Sequence, residues 1–161
     1  MRMTVGDERE LLGVCVLYCG ACDHYRAFLP EGRHLLEAAR RQGQELEQCQ
    51  GCRSTLLTPY CAQCTLRKCA EDKGVLHCGL CPTYPCDQLK AFQHDGLLHH
   101  IPVLDNLESL KKQEPERWLE GQAQRWQCQC GRHFSWYEEY CHHCGTPLAS
   151  YGYHGPPCRG H

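Results

Sequence analysis

Cysteine spacing is where this sequence could do chemistry. Between Cys61 and Cys86 the pattern Cys-x2-Cys-x4-Cys occurs twice, as Cys61-Ala-Gln-Cys64-Thr-Leu-Arg-Lys-Cys69 and, 17 residues on, as Cys78-Gly-Leu-Cys81-Pro-Thr-Tyr-Pro-Cys86. In a Cys-x2-Cys turn the backbone amides fold back towards the sulfurs, and two thiolates converge on one tetrahedral ion. The third cysteine of each copy lies roughly 140° further round a helix axis, so it serves another ion or the far edge of a cluster. Cys49-Gln-Gly-Cys52 is a further turn of this kind. Two more, Cys128-Gln-Cys130-Gly131 and Cys141-His-His-Cys144-Gly145, stand close together near the C-terminus.

Upstream, Cys15-Val-Leu-Tyr-Cys19-Gly-Ala-Cys22 is a Cys-x3-Cys-x2-Cys cluster. Radical-SAM enzymes use this spacing to hold three corners of a 4Fe-4S cluster, but their nucleoside-binding barrel needs roughly 200 residues, more than this chain supplies. What stands is a three-thiolate site completed by a distant cysteine, by His24 or by an exogenous ligand. Asp23 and Asp87, each directly after a cysteine, read as helix caps rather than acids. There is no glycine-rich phosphate loop, no His-Glu-x2-His and no Gly-x-Ser-x-Gly.

Sixteen of the 161 residues are cysteine, against three Phe, three Trp and two Met. A purely apolar core would be thin, so cross-links must carry part of the fold. Disulfides are the default for such a count in a secreted chain. The charged first ten residues do not read as a signal peptide, and no run of 18 apolar residues is present to span a membrane. The expectation is a cytoplasmic protein whose thiols stay reduced and bind metal. Net charge is −2 with histidine neutral, and three four-thiolate zinc sites would carry it to about −8. That is a poor match to a phosphate backbone. Arg67, Lys68 and Lys73 read instead as local counter-charges to the thiolates.

The elements that must position these thiols are short. Residues 1–13 read as a flexible N-terminus, 14–96 as a cysteine-rich metal-binding domain and 97–125 as a helical connector. Residues 126–148 read as a zinc ribbon and 149–161 as a flexible tail in which Cys158 binds nothing. Helices are expected over 31–48, weakened by Gly43, over 65–73 closed by Gly74, and over 87–95 closed by Gly96. Two more are expected over 97–112, with Pro102 near the start, and over 114–124. Pro82 and Pro85 keep the stretch between Cys81 and Cys86 out of a helix. The two C-terminal turns predict a β-hairpin clamped by Cys128, Cys130, Cys141 and Cys144. Its first turn is one residue short, so His133, His142 or His143 could replace a ligand. The expected fold class is therefore a small irregular α+β domain of short helices and Cys knuckles, stabilised by metal, followed by a zinc-ribbon β-hairpin.

The order Tyr18-Cys19-Gly20-Ala21-Cys22, Cys49-Gln-Gly-Cys52, Cys61-x2-Cys64-Thr-Leu-Arg-Lys-Cys69-Ala-Glu-Asp-Lys-Gly74 and Cys78-x2-Cys81-Pro-Thr-Tyr-Pro-Cys86 resembles the DUF3795 family over roughly residues 12–96. The whole chain is similar to members with an appended C-terminal zinc ribbon. The resemblance implies a metal-binding domain and supplies no reaction.

The first domain holds eleven cysteines: Cys15, Cys19, Cys22, Cys49, Cys52, Cys61, Cys64, Cys69, Cys78, Cys81 and Cys86. Two closed four-thiolate sites consume eight and leave three. Three zinc sites would need a twelfth ligand, from His24 or His77. Otherwise three thiolates hold a 4Fe-4S cluster with one exchangeable iron, the candidates being Cys15, Cys19 and Cys22. The leading expectation is a protein with several Cys-bound zinc ions that serves as a structural or adaptor module for a protein partner. The alternative is an iron–sulfur protein acting in electron or sulfur transfer or in Lewis-acid catalysis. A metal-handling role ranks last, because purely sequestering proteins lack the aromatics and regular helices present here.

Overall fold

The computed structural model describes residues 8–152; residues 1–7 and the tail from 153 on, including Cys158, lie outside the described residues. Among the described residues seven α-helices follow one another: α1 (Asp23–Phe28), α2 (Arg33–Arg41), α3 (Pro59–Ala62), α4 (Thr65–Lys73), α5 (Asp87–Gln93), α6 (Val103–Lys111) and α7 (Pro115–Arg125). Helix α4 ends where Gly74 turns left-handed, at φ 64°, because only glycine enters that region without steric penalty. Helix α2 stops well short of residue 48, and Gly43 lies just beyond it at φ 71°. The 97–112 segment divides at Pro102, which cannot donate a helical hydrogen bond, into a 3-10 turn over Leu98–His100 and helix α6.

The expected α+β class and the C-terminal β-hairpin do not form. Among the described residues there are only three isolated bridges, Leu12–Tyr18, Gln127–His133 and Tyr140–Pro147, and no sheet. The cause lies in where residues 134–136 face. Phe134, Ser135 and Trp136 are consecutive and all buried, whereas a half-buried strand alternates. Their backbone bonds go elsewhere: Trp136 N–H donates to the Ala21 carbonyl at 2.9 Å, and the Trp136 carbonyl accepts from Tyr151 N–H at 2.7 Å. Phe134 N–H still donates to the Trp126 carbonyl at 3.0 Å, but Trp136 N–H is spent on the first half of the chain, so pairing within the segment stops at isolated bridges.

One buried cluster runs through the described residues. It joins Leu12, Val14 and Val16 to Leu66 and Ala70 of α4, Leu89 of α5, Val103, Leu107 and Leu110 of α6, and Trp118 and Leu119 of α7. Trp126, Phe134, Trp136 and Leu148 belong to the same cluster. The cysteine turns hang on this frame. Cys22 and Cys86 directly precede α1 and α5, and Cys64 directly precedes α4. Between Cys15 and Cys19 the buried Val16 adopts φ 61°, a left-handed conformation that costs a β-branched residue on the order of 1–3 kcal/mol. The tight turn from Gly13 to Leu17, closed by Gly13 N–H to Leu17 O at 3.0 Å, imposes it.

Candidate metal centres

The fifteen cysteines from Cys15 to Cys144 are all free thiols, and they collect in three places. The C-terminal group is the most compact. The Sγ atoms of Cys128, Cys130, Cys141 and Cys144 all lie within 4.8 Å of one another. Cys128 and Cys144 are 3.6 Å apart and Cys130 and Cys141 3.7 Å apart. A tetrahedron with metal–sulfur bonds of about 2.3 Å has edges of about 3.8 Å, so this group can hold a metal ion. Each turn is closed by a left-handed glycine, Gly131 at φ 93° and Gly145 at φ 74°. Cys128 N–H donates to the Arg132 carbonyl at 2.7 Å and Cys141 N–H to the Thr146 carbonyl at 2.9 Å. The short Cys-x-Cys turn is thus accommodated, and the four sulfurs come together without a histidine. Burial pushes the Cys128 thiol up, while the Thr146 hydroxyl and amide draw Cys144 down.

A second group, Cys69, Cys78, Cys81 and Cys86, surrounds a small cavity of about 20 Å³ between α4 and α5. Burial lifts Cys78 to about 11, and the neighbouring sulfurs of Cys86, Cys69 and Cys81 add to it. Lys73, one helical turn after Cys69, places Nζ 3.4 Å from Cys81 Sγ and 3.3 Å from the Thr83 hydroxyl. Leu89 N–H, in the first turn of α5, points at Cys86 Sγ from 3.4 Å.

The other seven cysteines line one chamber of about 420 Å³. Cys15 is held far above an ordinary thiol by burial, with the charges of Cys52, Cys19 and Cys64 adding to it. Cys61 shares a hydrogen bond with Cys49 and also feels Cys22. Burial and then Cys52, Cys22 and Cys49 raise Cys19. Backbone amides are turned towards these sulfurs, as at Gly51, whose N–H donates to Cys49 Sγ at 3.3 Å. Like charges crowded in an apolar site keep thiols protonated until a cation displaces the protons.

His24 lines the same chamber with Nδ1 2.7 Å from the Glu47 carbonyl. An imidazole held in this way presents its other nitrogen to a metal. His77 is used differently: its Nδ1 accepts from Gly79 N–H at 3.1 Å and caps the turn that starts at Cys78. Sequence reasoning missed the rest of the chamber wall. His99 and His100 follow Leu97 and Leu98 in what reads as a helical apolar run, and no spacing marks them. His100 is buried, stacks on Phe92 at 3.8 Å, and has Nδ1 2.7 Å from Asp95 Oδ2. His99 stacks on Trp136 at 4.3 Å, and its Nδ1 lies 2.7 Å from the Tyr137 hydroxyl.

A further group of His34, Glu138 and His142 brings possible ligand atoms within 4.8 Å. Its imidazoles are stacked face to face, with centroids 3.6 Å apart and planes 13° apart. Two nearly parallel rings cannot both contain one ion in their planes, so this arrangement is a packing contact as it stands.

A family model described as a protein of unknown function, DUF3795, matches residues 11–91 of the 161. The chain belongs to the DUF3795 family. No curated protein and no solved structure matches it. In this DUF3795 protein the matched segment contains the chamber's seven thiols and the four around Lys73, while the C-terminal four lie beyond it. No helix among the described residues is long and apolar enough to cross a membrane.

Proposed function

We propose that this DUF3795 protein is a metalloprotein in which two closed four-thiolate zinc sites support a seven-thiolate chamber carrying an iron–sulfur centre with an open coordination position. Cys69, Cys78, Cys81 and Cys86 form one closed site, and Cys128, Cys130, Cys141 and Cys144 the other. The observation that carries this reading is the chamber. Seven thiols share a cavity whose volume of about 420 Å³ falls within the range of small-molecule sites, about 300–1,000 Å³. Seven thiols cannot be divided among closed four-thiolate sites alone, which favours the iron–sulfur role over that of an adaptor. Four of the seven thiolates saturate one centre and three leave a position free, and an open position is what separates reactive metal sites from structural ones. A bound cluster would supply Lewis-acid or electron-transfer chemistry there.

His24 supports a second reading. With that imidazole as eighth ligand the chamber closes as two further zinc sites, and the protein is a zinc scaffold throughout. Metal and acid-labile sulfide analysis of anaerobically purified protein separates the two. Iron with sulfide, an absorption band at about 400 nm and about two to three zinc ions per chain support the first. A colourless protein with about four zinc ions and no sulfide overturns it in favour of the second.

A further inference from the structure

All seven chamber thiols lie within the family-matched segment, yet the wall opposed to solvent is completed from outside it. His99, His100, Trp136 and Tyr137 line the chamber, and each lies beyond residue 91, where the match ends. These side chains are fixed, not incidental. Asp95 orients His100, the Tyr137 hydroxyl meets His99 at 2.7 Å, and Trp136 is tied through its N–H to the Ala21 carbonyl at 2.9 Å. The charge of the lining is equally one-sided. Among the described residues no lysine or arginine lines the chamber, and its ionisable groups are thiols, Asp23, phenols and imidazoles. The site around Cys81 is the contrast, since Lys73 stands against its sulfur there.

We infer that His99, His100, Trp136 and Tyr137 form a ligand-binding wall that selects a small, uncharged, hydrogen-bonding molecule with a soft donor atom. The inference rests on the iron–sulfur reading of the chamber. An anion bound at the iron would have no lysine or arginine on the lining beside it, the guanidiniums that act on these sulfurs being Arg53 and Arg67 at Cys52, and a charge left short of partners in a poorly solvated site is disfavoured. A neutral molecule escapes that penalty. The stacked His99–Trp136 pair offers it a flat surface, the Tyr137 hydroxyl and the imidazoles offer it hydrogen bonds, and a sulfur donor suits thiolate-ligated iron. Leu97, on the chamber lining yet 42% exposed, stands where such a molecule enters.

The test is an anaerobic titration of the metal-loaded full chain with thiourea, a neutral sulfur donor, and with thiocyanate, an anionic one. Visible and electron paramagnetic resonance spectra report binding. Thiourea should bind at least about tenfold more tightly than thiocyanate. Tyr137→Phe, which keeps the ring and removes the hydroxyl that both faces the ligand and holds His99, should weaken thiourea by about tenfold or more. Leu97→Arg, at an exposed position, should shift the preference towards thiocyanate by supplying the missing cation. Equal or tighter binding of thiocyanate to the unaltered chain overturns the inference, as does a preference that Leu97→Arg leaves in place. Absence of any band at about 400 nm is a different outcome: it removes the iron–sulfur reading and the inference with it.

Discussion

Replacing Gly51 by alanine isolates what the Cys49–Cys52 turn demands of the backbone. Gly51 has φ 106° and donates its N–H to Cys49 Sγ. A Cβ at this position would stand 2.9 Å from the Glu10 carbonyl oxygen, well inside van der Waals contact. For a residue with a side chain the backbone conformation alone costs on the order of 1–3 kcal/mol, and the crowding adds to it because the obstacle is main chain. A total of about 2 kcal/mol or more, at about 1.4 kcal/mol per decade, corresponds to roughly a thirtyfold loss of metal affinity in the chamber. Competition against a graded series of chelators measures this directly. Gly74→Ala is the control: its φ of 64° is also left-handed, but nothing lies within 4 Å of the added Cβ, and it caps a helix rather than turning towards a sulfur. It should lower the melting temperature and leave chamber metal in place. If Gly51→Ala releases metal no faster than the unaltered chain, the backbone of this turn does not govern the site.

Gly121 sits inside α7 with open space around its Cβ position. Gly121→Ala should therefore stabilise the protein by about 0.5–1 kcal/mol and raise the melting temperature by about 1–4 °C; a drop would mean the helix is not formed as described. Leu107 of α6 is fully buried, so Leu107→Ala should cost about 2–5 kcal/mol in urea unfolding, and a loss under about 1 kcal/mol would contradict the shared core. Burial, and then the charge of His100, holds His99 down to about 4, with Asp95 opposing. The unfolded chain binds that proton more readily, at about 6.5. Stability from this group is thus complete above about 6.5 and is lost as pH falls towards 4, by up to about 3 kcal/mol. Melting temperatures at neutral pH and at about pH 5 should diverge less in His99→Gln than in the unaltered chain; equal slopes would refute the burial of a neutral imidazole.

What could be read from the sequence were the local features. Helix α4 and its Gly74 cap follow from propensity and a single left-handed glycine, and the cysteine turns follow from two-residue spacings. The partition of eleven thiols into four and seven could not be read, because it depends on thiols tens of residues apart in the chain lining one cavity. The C-terminal hairpin was misread for a related reason. Two glycine-closed turns look the same whether the residues between them pair with each other or bury Phe134, Ser135 and Trp136 in a distant core. His99 and His100 gave no signal, since imidazoles next to leucines look like any amphipathic helix until Asp95 and Tyr137 are seen to hold them.

Trp136 N–H meets the Ala21 carbonyl, between Cys19 and Cys22 in sequence, and this sets Trp136 and Tyr137 as a cover over the chamber thiols. A protein cut after Arg125 would keep every sulfur of the first half and lose the aromatic cover over them. Dioxygen would then reach the chamber thiols with less in its way, and the shortened form would lose them to oxidation faster than the full chain.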